Sequence, residues 1–275
     1  MYSDSRKVTP MNTHTSPSGP AGHAVTITRV EQGEWHAVED ELVVGRGYAS
    51  ARPDGRLFIA VDAWQDAVFD RLAGALLADL PRPVRAVVDE AELDATSAWE
   101  RVGFAPHRRE WQYQVPTDPQ ATGLDKASPP SGVQIVPLGA AREEPLHALD
   151  HQVRAEVAAG LGWAAMPVEI LPRPAGVTVV DPTRYVAAEQ DGRYVGLARV
   201  MTRPRYARVG LVAVLAEQQR RGIARALLGQ VLGTLHRDGF ETAAAEVDAA
   251  NAPAIALFEG LGAQRVGSYL ELVRR

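Results

Sequence analysis

The stretch that most constrains this 275-residue chain is Val212 to Leu228, where an apolar strand pattern breaks into a short polar turn and then into a helix. Ala224, Leu227, Leu228, Val231, Leu232 and Leu235 recur at helical spacing, and Gly239 supplies the stop. The turn itself is Gln219-Arg220-Arg221-Gly222-Ile223-Ala224. A helix start leaves several amide N–H groups without partners and carries partial positive charge, so consecutive amides there can bind a diphosphate. Gly222 and Ala224 keep the backbone open to close approach, while Arg220, Arg221 and Arg225 add positive charge. The same residues also read as an arginine-rich solvated loop before a surface helix.

Around this unit the chain alternates strands and helices. Residues 116–132, PTDPQATGLDKASPPSG, interrupt every period and read as a linker. After it the pattern predicts a strand at Val133 to Val136 and a helix from Ala141 to about Leu161, with Leu146, Leu149, Val153 and Val157 on one face. A hairpin comes next, Tyr185 to Glu189 and Tyr194 to Met201, then a strand at Arg208 to Val214. Beyond the central helix come a strand at Thr242 to Val247, a helix opened by Asn251 as N-cap with Pro253 in its first turn, and a last strand from Ala263 to Val273.

The first half repeats the later part of that order: strands near 24–30, 36–45 and 56–61, a helix at 64–79, a strand at 84–88, a helix at 93–102 and a strand at 104–115. Ser97 to Phe104 and Ala256 to Ala263 share a pattern of aromatic, Glu and Gly, which reads as a trace of duplication. The expected division is therefore a disordered tail at 1–22, a first domain at 23–115, the linker at 116–132 and a second domain at 133–275.

The turn resembles the acetyl-CoA-binding motif of the GNAT superfamily, Q/R-x-x-G-x-G/A, met here as Gln219 to Ala224. Asn251-Ala252-Pro253-Ala254-Ile255-Ala256-Leu257-Phe258 with Gly262 is similar to that family's N-x-x-A-x-x-L-Y-x-x-x-G helix. The resemblance covers roughly residues 133 to 273 and implies an α/β (α+β) chain of two GNAT-like domains, as in the paired proteins resembling mycothiol synthase. Each would be a mixed, mostly antiparallel sheet flanked by helices, the N-terminal one truncated and degenerate. It further implies that Val212, Ala213 and Val214 splay from the neighbouring strand and pair with the pantetheine arm, that the Gln219 to Ala224 amides with Arg225 hold the pyrophosphate, and that Asn251 and Phe258 lie beside the cofactor. Asn251 reads equally as a plain helix cap.

Acetyl transfer to an amine needs that amine neutral, so a base is expected. Glu246, at the strand position where some relatives place a base, is the candidate; a solvated strand carboxylate is the other reading. Phe258 stands where the family commonly has a proton-donating tyrosine, which leaves water, Tyr269 or Tyr206, unassisted departure of the thiolate, or a binding protein without turnover. In the first half the equivalent segment, Ile59 through Leu72, has no glycine and offers three aspartates, Asp62, Asp66 and Asp70, where phosphates would sit. His151 and Trp163 are candidates for the acceptor pocket, or else a surface histidine and a core tryptophan.

Composition narrows the rest. With 46% hydrophobic residues the chain can bury two modest cores, and a net charge of -5 argues against a broad nucleic-acid surface. No cysteine is present, which removes thiolate metal sites and cysteine nucleophiles, and the histidines lack the spacing of a helical metal site. No membrane-spanning or signal segment is apparent, so a cytoplasmic protein is expected, monomer or homodimer, using acetyl-CoA and no metal. The expected function is N-acetylation of a small-molecule amine; acetylation of protein N-termini or lysines, and a non-catalytic acyl-CoA sensor, are the alternatives.

Overall fold

Alternating apolar residues commit most of the first half to strands, and the computed structural model, which describes residues 25–52, 54–160 and 180–275, builds them into one sheet. That half contains β1 (Thr26–Glu31), β2 (Glu34–Glu39), β3 (Leu42–Ala51), β4 (Leu57–Ala63), α1 (Asp66–Asp79), β5 (Val84–Asp89), α2 (Leu93–Arg101) and β6 (Ala105–Pro116). The second half adds α3 (Pro119–Thr122), β7 (Val133–Val136), α4 (Glu143–Ala159), β8 (Tyr185–Gln190), β9 (Arg193–Arg203), β10 (Tyr206–Val214), α5 (Ile223–Arg237), β11 (Thr242–Asp248), α6 (Ala252–Glu259) and β12 (Gln264–Arg274). The expected tail at 1–22 lies outside the described residues. Among those residues no helix is long and apolar enough to cross a membrane.

The single strand expected at 36–45 is two. Asp40 and Glu41 both take positive φ, 48° and 66°, and turn β2 back onto β3 with Glu39 opposite Leu42. This is the backbone of a two-residue hairpin without the glycine or asparagine that normally announces one. The expected linker is likewise ordered in part. Asp118 Oδ1 caps α3 by accepting from the Gln120 amide at 2.8 Å, Gly123 closes it at φ 64°, and Leu124 is buried in the second core.

Among the described residues twelve strands run β1-β2-β3-β4-β5-β12-β6-β11-β10-β9-β8-β7, so the two halves exchange their last strands. β6, from the first half, pairs with β11 through Trp111↔Val247, Tyr113↔Ala245 and Val115↔Ala243. β12, from the second, pairs with β5 through Leu270↔Val88 and Leu272↔Ala86. The register fixes where the side chains go, because residues two apart share a face. Tyr113 and Val115 therefore enter the core beneath α5 and α6, and Leu270 and Leu272 enter the core beneath α1 and α2. Burying an aliphatic side chain of this size contributes about 2 kcal/mol, so each half holds the other's terminal strand by its own core.

Helix packing sets the two faces of the second half. α5 buries Ile223, Ala226, Leu227, Leu228, Val231, Leu232 and Leu235 against one face, and α4 covers the other with Leu146, Leu149 and Val153. α5 ends at Gly239, φ 85°, where the Phe240 amide donates back to Leu235 O at 3.0 Å.

Candidate functional site

β10 pairs with β9 from end to end, but with β11 at only two positions, Arg208↔Ala244 and Val209↔Ala245. A register shift at Gly210 bends β10 away, and beyond it Leu211 to Val214 and Glu246 to Asp248 diverge as the two walls of a wedge. β11 remains paired to β6 along this stretch, so its edge toward β10 is the open one. Two facing strand edges with unused N–H and C=O groups can take an extended, amide-containing chain as an added strand.

The wedge leads into the turn before α5. Arg220 and Gly222 both have left-handed backbone, φ 60° and 90°, and a Cβ built on Gly222 would meet nothing within 4 Å. The glycine is thus required by conformation, not by a neighbouring atom. Left-handed φ at an arginine is uncommon and costs about 1 kcal/mol, a strain typical of functional turns. Its effect here is on the amides. Among the described residues, the N–H groups of Arg220, Arg221, Gly222, Ile223, Ala224 and Arg225 make no hydrogen bond to a protein group. The Gln219 amide is directed at Ala216 O, 3.4 Å away, so the open run begins one residue later than the motif does.

Side chains brace this turn. Gln219 Nε2 donates to Val214 O at 3.0 Å and ties the loop to the end of β10, while Arg221 Nη1 binds both Gln218 and Gln190. The Ala216 amide is taken by Glu156 Oε2 of α4 at 3.0 Å. Gln219 and Arg221 therefore shape the loop with their side chains, and Arg220 is left exposed beside the open amides. Val212, Ala213 and Val214 lie half-buried along the wedge.

Glu246 lies on the α4 side of the sheet, its carboxylate bonded to Arg208 Nη2 and its side chain 30% exposed. Asn251 Oδ1 accepts from the Ala254 amide at 3.2 Å, so the side chain caps α6. Phe258 is only 5% exposed and stacks on Tyr113 with ring centroids 6.1 Å apart. Burial pushes the Tyr113 phenol up, and its hydroxyl is engaged by Arg265 and Glu259. His151 is exposed on α4, and Trp163 with the loop Met166 to Pro174 lies outside the described residues.

A buried polar cluster on the α4 side belongs to neither motif. Asp150 and Arg154 sit on the apolar face of α4, bonded at 2.5 Å, and face Arg199 of β9 and Tyr185 of β8. Burial pushes the Tyr185 phenol up despite the neighbouring guanidinium of Arg199. The sequence carries a signal for it: Asp150 and Arg154 interrupt the stripe Leu146, Leu149, Val153, and Arg199 interrupts the apolar run from Tyr194 to Met201. Among the described residues no group of three His, Asp or Glu side chains is placed to hold a metal ion.

The geometry agrees with what the chain is similar to. Residues 163–263 match the model of the acetyltransferase (GNAT) family. A GCN5-related N-acetyltransferase from Sphaerobacter thermophilus is 17% identical, with 90% of this chain and 82% of that one covered and a TM-score of 0.59. A tandem GNAT protein from the clavulanic acid biosynthesis pathway is 16% identical, with 88% and 82% covered and a TM-score of 0.61. A GNAT-family acetyltransferase from Colwellia psychrerythraea is 16% identical, with 88% and 85% covered and a TM-score of 0.58. At such identities the likeness is one of fold. Among curated proteins nothing matches the chain.

Proposed function

We propose that this chain, whose residues 163–263 match the acetyltransferase (GNAT) family model and whose fold is that of tandem GNAT proteins, is a tandem-type member of the GNAT superfamily that moves an acetyl group from acetyl-CoA to the primary amine of a small molecule. One observation carries the reading: a strand wedge that runs directly into six successive open amides at a helix start. The amides of Arg220 to Arg225 would hold the pyrophosphate, with the exposed Arg220 adding charge. The open edge of β10 from Leu211 to Val214 would pair with the pantetheine amides. A backbone N–H on that edge would face the acetyl carbonyl and stabilise the oxyanion that forms when the amine attacks.

In the transfer the amine nitrogen bonds the carbonyl carbon, the C–S bond breaks, and the proton the amine loses balances the charge left on sulfur. Glu246, on the β11 wall of the wedge, is the candidate base. Paired with Arg208, it would draw the amine's proton through a bridging water. Phe258 has no proton to give, so the thiolate would take its proton from water, from Tyr269 or Tyr206, or from the amine. Positioning two reactants supplies most of the acceleration in such a site.

Glu246→Gln should lower kcat by about 10- to 100-fold at neutral pH, with the acetyl-CoA dissociation constant unchanged, measured by thiol release and by calorimetry. Equal kcat for variant and parent would remove Glu246 from the mechanism. Binding of acetyl-CoA without turnover across a broad amine panel would mark the chain as an acyl-CoA sensor instead.

A further inference from the structure

At one end of the strand exchange lies a hollow of about 380 Å³, lined by Arg82, Pro83, Arg85, His107, Val273 and Arg275. A hollow of that volume accommodates a small organic molecule. Arg82 and Pro83 lead into β5, His107 lies on β6, and Val273 lies on β12 with Arg275 just beyond it. Register explains why these side chains meet. Arg85 and Val273 are direct partners, and they point away from α1 and α2 because their neighbours Ala86 and Leu272 fill the core beneath those helices. His107 falls in a register shift, between Pro106 opposite Leu272 and Arg108 opposite Glu271. An extra residue of this kind leaves the ladder and re-aims its side chain.

Charge around the hollow is one-sided. Arg85 has a carboxylate partner, Glu271, with Oε1 3.0 Å from Nε. Among the described residues the side chains of Arg82, His107 and Arg275 pair with no carboxylate side chain. Arg82 Nη1 donates to the Arg275 main-chain oxygen at 3.3 Å, which occupies one of its N–H groups. Arg82, His107 and Arg275 are exposed, whereas Val273 is 9% exposed, so the rim is basic and the floor apolar. A concave surface edged by one sign of charge concentrates the opposite ion, and guanidinium forks bind phosphate through paired, charge-assisted bonds.

We propose that this hollow is a binding site separate from the acetyl-transfer site and that it takes a small organic phosphate monoester. The phosphate lies against Arg82, Arg275 and His107, and the organic part covers Pro83 and Val273. Two guanidiniums suit a group that carries roughly two negative charges at neutral pH. The lining comes from β5, β6 and β12 together, so the site exists only while the strands are exchanged, and an occupant stabilises the folded chain by mass action.

The test uses phenyl phosphate as the probe, by calorimetry with and without saturating acetyl-CoA, beside inorganic phosphate, phenol and benzoate. One phenyl phosphate should bind per chain, about 10-fold more tightly than each of those three, and acetyl-CoA should leave its affinity unchanged. Arg82→Gln combined with Arg275→Gln should weaken it by about 10-fold or more. Both residues are exposed, so the urea midpoint of the double variant without probe should match the parent's. Saturating probe should raise the midpoint of the parent and not of the variant. Absence of binding, displacement of the probe by acetyl-CoA, equal affinity for inorganic phosphate, phenol or benzoate, or unchanged affinity in the double variant would each overturn the proposal. No readout involves acetyl transfer, so the two proposals stand or fall separately.

Discussion

The two halves of this chain build the same wedge and furnish it differently. In the first half β4 and β5 pair in parallel at two positions only, Leu57↔Val84 and Phe58↔Arg85, just as β10 and β11 do at Arg208↔Ala244 and Val209↔Ala245. The junction between strand and helix separates them. From Ala63 the first half needs only Trp64 and Gln65 before α1 begins, and the Val68 and Phe69 amides already donate to Gln65 O. From Val214 the second half spends residues 215–222 before α5, through a short 3-10 turn and two left-handed residues, which turn the next amides outward. Charge reinforces the contrast: Asp66 and Asp70 beside α1 are held by Arg101, where the second half offers Arg220 and Arg225. The wedge belongs to the fold; the run of open amides belongs to the junction.

The opposite faces differ too. α4 covers the second half's sheet and encloses the Arg199 cluster, whereas the first half's matching face carries an ionic network in which Arg56, Arg85 and Arg108 converge on the buried Glu271 of the exchanged strand β12. The first half's counterpart of the face that α4 covers is thereby an ionic seam between the halves.

The exchange gives the largest expected effect. Leu272 is fully buried in the first half's core although it comes from the second half's last strand. Leu272→Ala should cost about 2–5 kcal/mol, and urea unfolding monitored by tryptophan fluorescence, with Trp35 and Trp99 in that core, should show one cooperative transition shifted as a whole. Two transitions, only one of them shifted, would break the claim that exchange couples the halves.

A smaller effect separates the junctions. Gly222→Glu should weaken acetyl-CoA binding by about 100-fold, because a carboxylate is then set against the diphosphate. At φ 90° any side chain also strains the turn by about 1 kcal/mol, so Gly222→Ala is the control and should retain most of the affinity. Calorimetry should give one acetyl-CoA per chain; a stoichiometry of two would mean that the first half's short junction still binds.

The range of each interaction decides how much of this is legible in the sequence. Local signals are plain: the stripe of α5, the Asn251 cap, and the strand at Val133 to Val136 depend on residues a few positions apart. The β2–β3 hairpin is hidden because Asp40 and Glu41 adopt left-handed backbone without the residue types that usually signal it. Strand exchange is invisible, since alternation states which side of a strand is buried but not which neighbour it pairs with. The Arg208–Glu246 pair is hidden for the same reason: the partners are joined by pairing of β10 with β11 across 38 residues. Asp150, Arg154 and Arg199 are legible as charges inside apolar patterns, but a local pattern does not say that two separate elements bring them into one cluster.

The seam itself supplies the smallest and most pH-dependent effect. Glu90, just beyond β5, accepts from Arg109 Nε at 2.8 Å and Nη2 at 2.5 Å on β6, and from Ser268 Oγ at 2.6 Å on β12, so one carboxylate joins all three strands of the exchange. The Arg109 bonds, then that of Ser268, hold its pKa below the ordinary value of 4.5. A carboxylate depressed in the folded state binds fewer protons there than in the unfolded chain, so its stabilisation is present above about pH 4.5 and is lost as the pH falls through the folded value. Arg109 is 41% exposed, so solvent screening limits the contribution to under about 1 kcal/mol. Glu90→Gln should therefore be slightly less stable than the parent at pH 7 and converge with it in acid, as read from urea midpoints across pH 3 to 7. A constant difference across that range would mean that Glu90 joins the strands by packing alone and that its charge adds nothing to the seam.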